Sequence, residues 1–340
     1  MVAGIGDWTA YQIQDDTSRV VRVADNGRSA LCASAIPGVT SEVPPDGIDK
    51  STGKRWPIFN SLEQIGADRI EAVDYGTHFE AQEAINTITG LIESQAKTCD
   101  RVIVYASSLG GDLVMPAIVR ADLTDEQLGH IVLVIDSAPA GKDTVMTPFA
   151  VVSDYYQPGP VVDLALKAPI PGYAPDGLFS KFVTPDQPHH KYEASVLIAQ
   201  GRYINDFDPA DYSESPQLGK LGQIIYVENT GNDENRGDQV VRQPLAAKGW
   251  ENAFGNYDNF QVFTVNPPPG YVGNMHTFCA NNEMSTNSDC TNLFFGDILP
   301  FIVLMTHNKY QTDNVTPAIS SSEQDLVQRC QGTYGGHWCI

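Results

Sequence analysis

The chain has 340 residues, with 21 Lys and Arg against 42 Asp and Glu, for a formal net charge of −21. With 42% hydrophobic and 19% charged residues it can bury a sizeable core, which excludes a mainly disordered chain. An acid excess of this size repels phosphates, so it argues against a nucleic-acid or anionic-membrane surface.

Residues 1–16 carry no basic stretch followed by an apolar one and do not read as a signal peptide. A secreted protein would be represented here by its mature form behind a start Met. Arg28 to Ser34 and Arg69 to Tyr75 are short strand candidates. Phe79 to Ala96 places Ala81, Ala84, Ile85, Ile88, Leu91 and Ile92 at helical spacing. Arg101 to Ala106 and His130 to Asp136 are β-branched runs of the fully buried strand type, with a helix at Leu109 to Arg120 between them. Strand and helix in alternation predict a mostly parallel central sheet with helices on both faces, an α/β class.

Residues 142–190 break that pattern. They are dense in Pro and carry Phe149, Tyr155, Tyr156, Tyr173, Phe179 and Phe182, which predicts a lid or cap insertion. Lys191 to Tyr203 and Val240 to Phe254 read as helices, and Gln223 to Glu228 and Phe260 to Val265 as strands. Phe294 to His307 reads as a helix with Pro300 in its first turn. A single domain over 1–340 is expected, with 308–340 as a Ser/Thr-rich tail. The apolar run Ile298 to Met305 is too short to span a membrane, so no transmembrane segment is expected.

Six cysteines allow fifteen pairings. Cys279 with Cys290 and Cys330 with Cys339 are close pairs in polar loops, where a disulfide staple is most useful. They point to an oxidising, secreted or extracytoplasmic location. No Cys/His spacing suits zinc, and no nucleotide-binding glycine motif or P-loop is present, so neither a metal nor a cofactor is expected.

The segment that carries chemistry is Val102-Ile-Val-Tyr-Ala-Ser-Ser-Leu-Gly-Gly. A buried strand runs into a tight turn and then a helix, and Ala106-x-Ser108-x-Gly110 fits a nucleophile elbow with Ala at the first small position. Small residues are needed there because strand and helix backbones come close. The turn lifts the serine hydroxyl to the helix N-terminus, where free N–H groups favour a developing oxyanion. On these residues the chain resembles the α/β-hydrolase superfamily of esterases, lipases and cutinase-like enzymes, over roughly Arg28 to His307.

The resemblance implies a nucleophile, an acid and a histidine in that chain order. His276 follows the last strand candidate, where the superfamily places its base. The acid is expected after Glu228, and Asp233 is the choice, with Asp238 as rival and Asp136, after an earlier strand, as third. The oxyanion hole would use the N–H of Leu109 and one from Ser34 or Ala35. The expected function is a serine hydrolase cleaving a small-molecule or lipid carboxylic ester through an acyl-enzyme on Ser108. An acyltransferase with the same triad, or a non-catalytic binding protein of this fold, are the alternatives. The oligomeric state is not legible.

Overall fold

β4 (Arg101–Ser107) lies at the centre of the sheet, and all seven of its residues are buried. It is covered on both faces, which is why its sequence is a continuous apolar run rather than an alternating one. The structure is a computed structural model and describes residues 17–39, 43–44, 46–48, 53–76, 79–145, 194–231, 237–271, 273–281, 287–303, 324–326 and 328.

In chain order the elements begin with β1 (Arg19–Asp25), β2 (Leu31–Ile36), α1 (Pro57–Gln64), β3 (Arg69–Asp74) and α2 (Ala81–Thr98). After β4 come α3 (Leu109–Arg120), α4 (Asp125–Gly129) and β5 (Ile131–Asp136). Then follow α5 (Ala194–Asp206), β6 (Gln223–Asn229), α6 (Gln243–Phe254), β7 (Phe260–Val265), α7 (Phe278–Asn281) and α8 (Ser288–Thr291). The helix continues beyond α8 at the wider π pitch over Asn292–Ile298.

The seven strands run in the order β1-β3-β2-β4-β5-β6-β7. Only β1 is antiparallel to its neighbour. One core lies between the sheet and α2, α3, α5 and α6, with Ile88, Leu113, Ile204 and Trp250 in it. The other lies under α1, α7 and the C-terminal helix, with Phe59, Phe278 and Phe294 in it. The mostly parallel, two-faced α/β sheet expected from the sequence is therefore present.

Chain direction within the sheet reverses between β2 and β4. The connection leaving β2 runs toward the β1 edge, and the one leaving β4 runs toward β7. In an open parallel sheet a crevice forms beyond the strands' carboxyl ends at such a reversal. Ser108, directly after β4, stands there.

Several sequence expectations need correction. β1 and α1 were not anticipated. β1 is an edge strand with mixed exposure and Arg19, Arg22 and Asp25 along it, so it lacks a buried-strand signature. Pro300 was expected in the first turn of the last helix. The helix instead starts at Ser288, where the Asn287 side chain accepts from the Asp289 and Cys290 N–H groups. Pro300 falls well inside, and its missing N–H follows the π-pitched stretch that ends at Ile298. The 142–190 insertion is described only at its start, a single turn at Lys142–Thr144 and a bridge from Val145 to Val241. The rest of it, and most of the 308–340 tail including Cys330 and Cys339, lie outside the described residues, although Leu326 is buried in the second core.

Two disulfides are present among the described residues. Cys279–Cys290 is the expected one. Cys32–Cys99 was not anticipated and ties β2 to the end of α2. The parallel register puts Cys32 opposite Val102, so the segment entering β4 brings Cys99 alongside. No helix among the described residues is long and apolar enough to cross a membrane.

Candidate active site

Ser108 adopts φ 51° and ψ −125°, a conformation costly for any residue with a Cβ. It caps the N-terminus of α3, and its own N–H donates to the Asp136 carbonyl at 2.9 Å. The crowding predicted for a strand-to-helix elbow is real. A Cβ on Gly110 would lie 2.2 Å from the Ile36 carbonyl oxygen, and one on Gly111 2.4 Å from the Ala138 Cβ. Ala106, the departure from the all-glycine pattern, is fully buried and sits in register with Ile36 and Ile135.

Gly38 also makes a close approach. A Cβ there would lie 2.9 Å from the Ser108 Cβ and 3.4 Å from its Oγ. The backbone facing the serine is therefore the turn after β2, not β2 itself. This corrects the expectation that Ser34 or Ala35 lends an N–H to an oxyanion. Both stand inside β2 between β3 and β4, where backbone groups belong to the sheet ladder. The Ser34 hydroxyl donates to Gln95 Oε1 at 2.6 Å. Gly38 and Val39 carry the N–H groups of the turn, since Pro37 has none. The Pro37-Gly38 pair after an apolar strand was the available signal. Leu109 opens α3, so its N–H has no acceptor within the helix.

His276 lies in the loop after β7. Its Nδ1 is 3.1 and 3.0 Å from the two carboxylate oxygens of Asp238. Asp238 also accepts from the Val240 and Val241 N–H groups at 2.8 and 2.9 Å and from the Gln243 side chain. The two loops are stitched together. Met275 N–H donates to the Gly237 carbonyl, and Asn274 Oδ1 accepts from both Gln239 and His276 N–H. Asp238 is thus the carboxylate on the imidazole. Asp233 lies outside the described residues.

Asp136, the third candidate acid, makes different contacts. It accepts from the Tyr105 hydroxyl and, at 2.6 Å, from Asn229 Nδ2. Asn229 also donates to Ser137 Oγ at 2.7 Å, and that oxygen accepts the Thr277 N–H at 3.1 Å. Nothing in the sequence flagged Ser137, Asn229 or Thr277, because their spacing along the chain is long and their pairing is tertiary.

The charges are tuned by these contacts. Burial alone would raise the Asp238 pKa, but the His276 charge and hydrogen bond, with the Val241 and Val240 amides, outweigh it and hold Asp238 below the ordinary carboxylate value. Burial would lower His276, but Asp238, with Asp136 behind it, holds its pKa above the ordinary imidazole value. Burial raises Asp136 to about 6, against hydrogen bonds from Tyr105 and Asn229, the His276 charge and the Ser137 hydroxyl. Among the described residues no group of three His, Cys, Asp or Glu side chains could hold a metal ion.

No protein-family model matches the chain, and no curated protein matches it in sequence. Solved structures do resemble it in the path of the chain. A soluble variant of monoglyceride lipase from Saccharomyces cerevisiae has a TM-score of 0.48 at 10% identity, covering 82% of this chain and 89% of that one. A lipase-esterase related protein from Clostridium acetobutylicum has a TM-score of 0.47 at 12% identity, covering 81% and 99%. A structure from work on carboxylesterases of Nitrososphaera gargenis has a TM-score of 0.47 at 12% identity, covering 86% and 96%. The parallel sheet that reverses direction at β2 and β4, with a strained serine turning from β4 into α3 at that point, gives this chain the α/β-hydrolase fold.

Proposed function

We propose that the protein is a serine hydrolase that cleaves a carboxylic ester through an acyl-enzyme on Ser108. One observation carries this reading. A serine forced into a strained conformation at a helix N-terminus shares its sheet edge with a loop that presents a carboxylate-paired histidine. In this mechanism Ser108 Oγ attacks the ester carbonyl carbon while His276 Nε2 takes the hydroxyl proton. Asp238 holds the imidazole with Nδ1 protonated and stabilises the imidazolium. The tetrahedral oxyanion is stabilised by the Leu109 N–H and an N–H of the Gly38–Val39 turn. Collapse breaks the ester C–O bond, and the imidazolium returns its proton to the leaving alcohol. Water, deprotonated by the same imidazole, then releases the acid.

The substrate is a small-molecule or lipid ester, with the 142–190 insertion as its lid. Two disulfides among the described residues favour an oxidising, extracytoplasmic location. A fluorophosphonate probe should label the folded protein on Ser108 and leave the Ser108→Ala variant unlabelled. p-Nitrophenyl esters should be turned over by the first and not the second. Folded, unlabelled wild-type protein would overturn the reading. Partition of the acyl group between water and an added alcohol separates hydrolysis from transfer.

A further inference from the structure

The nucleophile and the histidine loop are fastened to two adjacent residues. Ser108 N–H donates to the Asp136 carbonyl at 2.9 Å, and Thr277 N–H, next to His276, donates to Ser137 Oγ at 3.1 Å. Ser137 itself is fixed from two sides. Its backbone N–H donates to the Val227 carbonyl at 3.3 Å, and its Oγ accepts from Asn229 Nδ2 at 2.7 Å. A hydroxyl oxygen has two acceptor positions, so these donors fill both. Its own proton is left for Asp136, whose carboxylate it helps to stabilise.

The strain is distributed in the same way. Ser108, Ser137 and Thr277 have φ values of 51°, 54° and 49° and are the non-glycine residues with positive φ among the described residues. Strained residues persist only where their surroundings over-determine them. Here one hydrogen bond, Thr277 to Ser137, joins two of the three, and the third is bonded to the residue preceding Ser137. Among the described residues the Met275 N–H donates to the Gly237 carbonyl and the His276 N–H to Asn274 Oδ1, neither of them a sheet residue.

We propose that Ser137, held by Asn229, is a positioning residue: its hydroxyl clamps the Thr277 backbone and so registers the His276 imidazole against Ser108. The proposal rests on the hydrolase reading for its effect on rate, but not for the clamp itself. Asp238 and Asp136 are the titratable groups that act on His276, and Tyr105 lies against Asp136.

Three variants separate a clamp from a merely structural contact. With p-nitrophenyl acetate, Ser137→Ala should lower kcat by about 10- to 100-fold and leave KM within about twofold, because misalignment costs the chemical step. Its acid limb in the pH–rate profile should move to lower pH, because a loosened His276–Asp238 pair no longer raises the imidazole pKa. Ser137→Gly should lose rate likewise although it relieves the positive φ. Ser137→Thr keeps the hydroxyl, so it should recover kcat relative to Ser137→Ala while melting at a lower temperature, because a β-branched residue suits that φ poorly. Wild-type kcat and an unmoved acid limb in both the Ala and Gly variants would overturn the proposal. A wild type that neither hydrolyses esters nor takes the fluorophosphonate would end the hydrolase reading instead. In that case the low-field proton resonance of His276 Nδ1 decides the clamp: loss or broadening in Ser137→Ala supports it, and an unchanged line overturns it.

Discussion

The pairing of His276 with Asp238 makes the site's pH behaviour calculable in sign. In the proposed mechanism the imidazole must be neutral to accept the serine proton, and its pKa is raised, so the rate should rise with pH through a midpoint above the ordinary value of about 6.5. The raised histidine contributes stability that is present below its unfolded pKa and lost as pH climbs through its folded one. The lowered aspartate contributes stability that is present above its unfolded pKa and lost as pH falls. The pair should therefore stabilise most between about pH 4 and 6.5. Asp238→Asn should cut kcat by about 10⁴-fold, shift the acid limb to lower pH and flatten that window in thermal melts, whereas Asp233→Asn should stay within about twofold of wild type. The turn at Ser108 and the place of His276 were legible because their signals are local: a small-x-Ser-x-Gly pattern, and a histidine just past the last strand. The choice among aspartates was not, because it depends on how the loop after β6 meets the loop after β7.

At the level of elements, β4 and α3 were the most legible part of the chain. A continuous apolar run followed by a serine and two glycines admits few other folds. α3 carries one further anomaly. Asp112, in its first turn, is fully buried, and neither carboxylate oxygen has a hydrogen-bond partner among the described residues. Pro116, one turn later, also denies the Asp112 carbonyl its helical donor. Burial raises the Asp112 pKa well above the ordinary value, so the folded protein holds that proton where the unfolded chain has released it. The sign follows: this group's contribution is greatest below about pH 3.9 and falls as pH rises, by up to about 1.4 kcal/mol per unit. Asp112→Asn should therefore raise the melting temperature at pH 8 and change it little at pH 4. Equal melting temperatures for variant and wild type at both values would contradict this. Nothing in the sequence marked Asp112, since an acid in the first turn of a helix is ordinarily a solvated partner of the helix dipole.

Across the whole molecule, the reversal between β2 and β4 decides where chemistry can occur, and two disulfides brace the elements around it. Cys32–Cys99 closes a loop of 67 residues that contains α1, β3 and α2. On chain-entropy grounds it is worth about 4 kcal/mol, against about 3 kcal/mol for the 11-residue loop of Cys279–Cys290. Cys32→Ala should accordingly cost more in chemical denaturation than Cys290→Ala. Proximity in sequence suggested the shorter bridge and hid the longer one, which only the parallel register of β2 and β4 creates. Under the proposed mechanism the order of the chain also sets when the serine hydroxyl is armed. The elbow serine and its anchor at Asp136 are made before the histidine that would arm the serine, residue 276, and the Cys290 that braces its loop comes later still. A growing polypeptide thus carries an unarmed hydroxyl until residue 276 has been added.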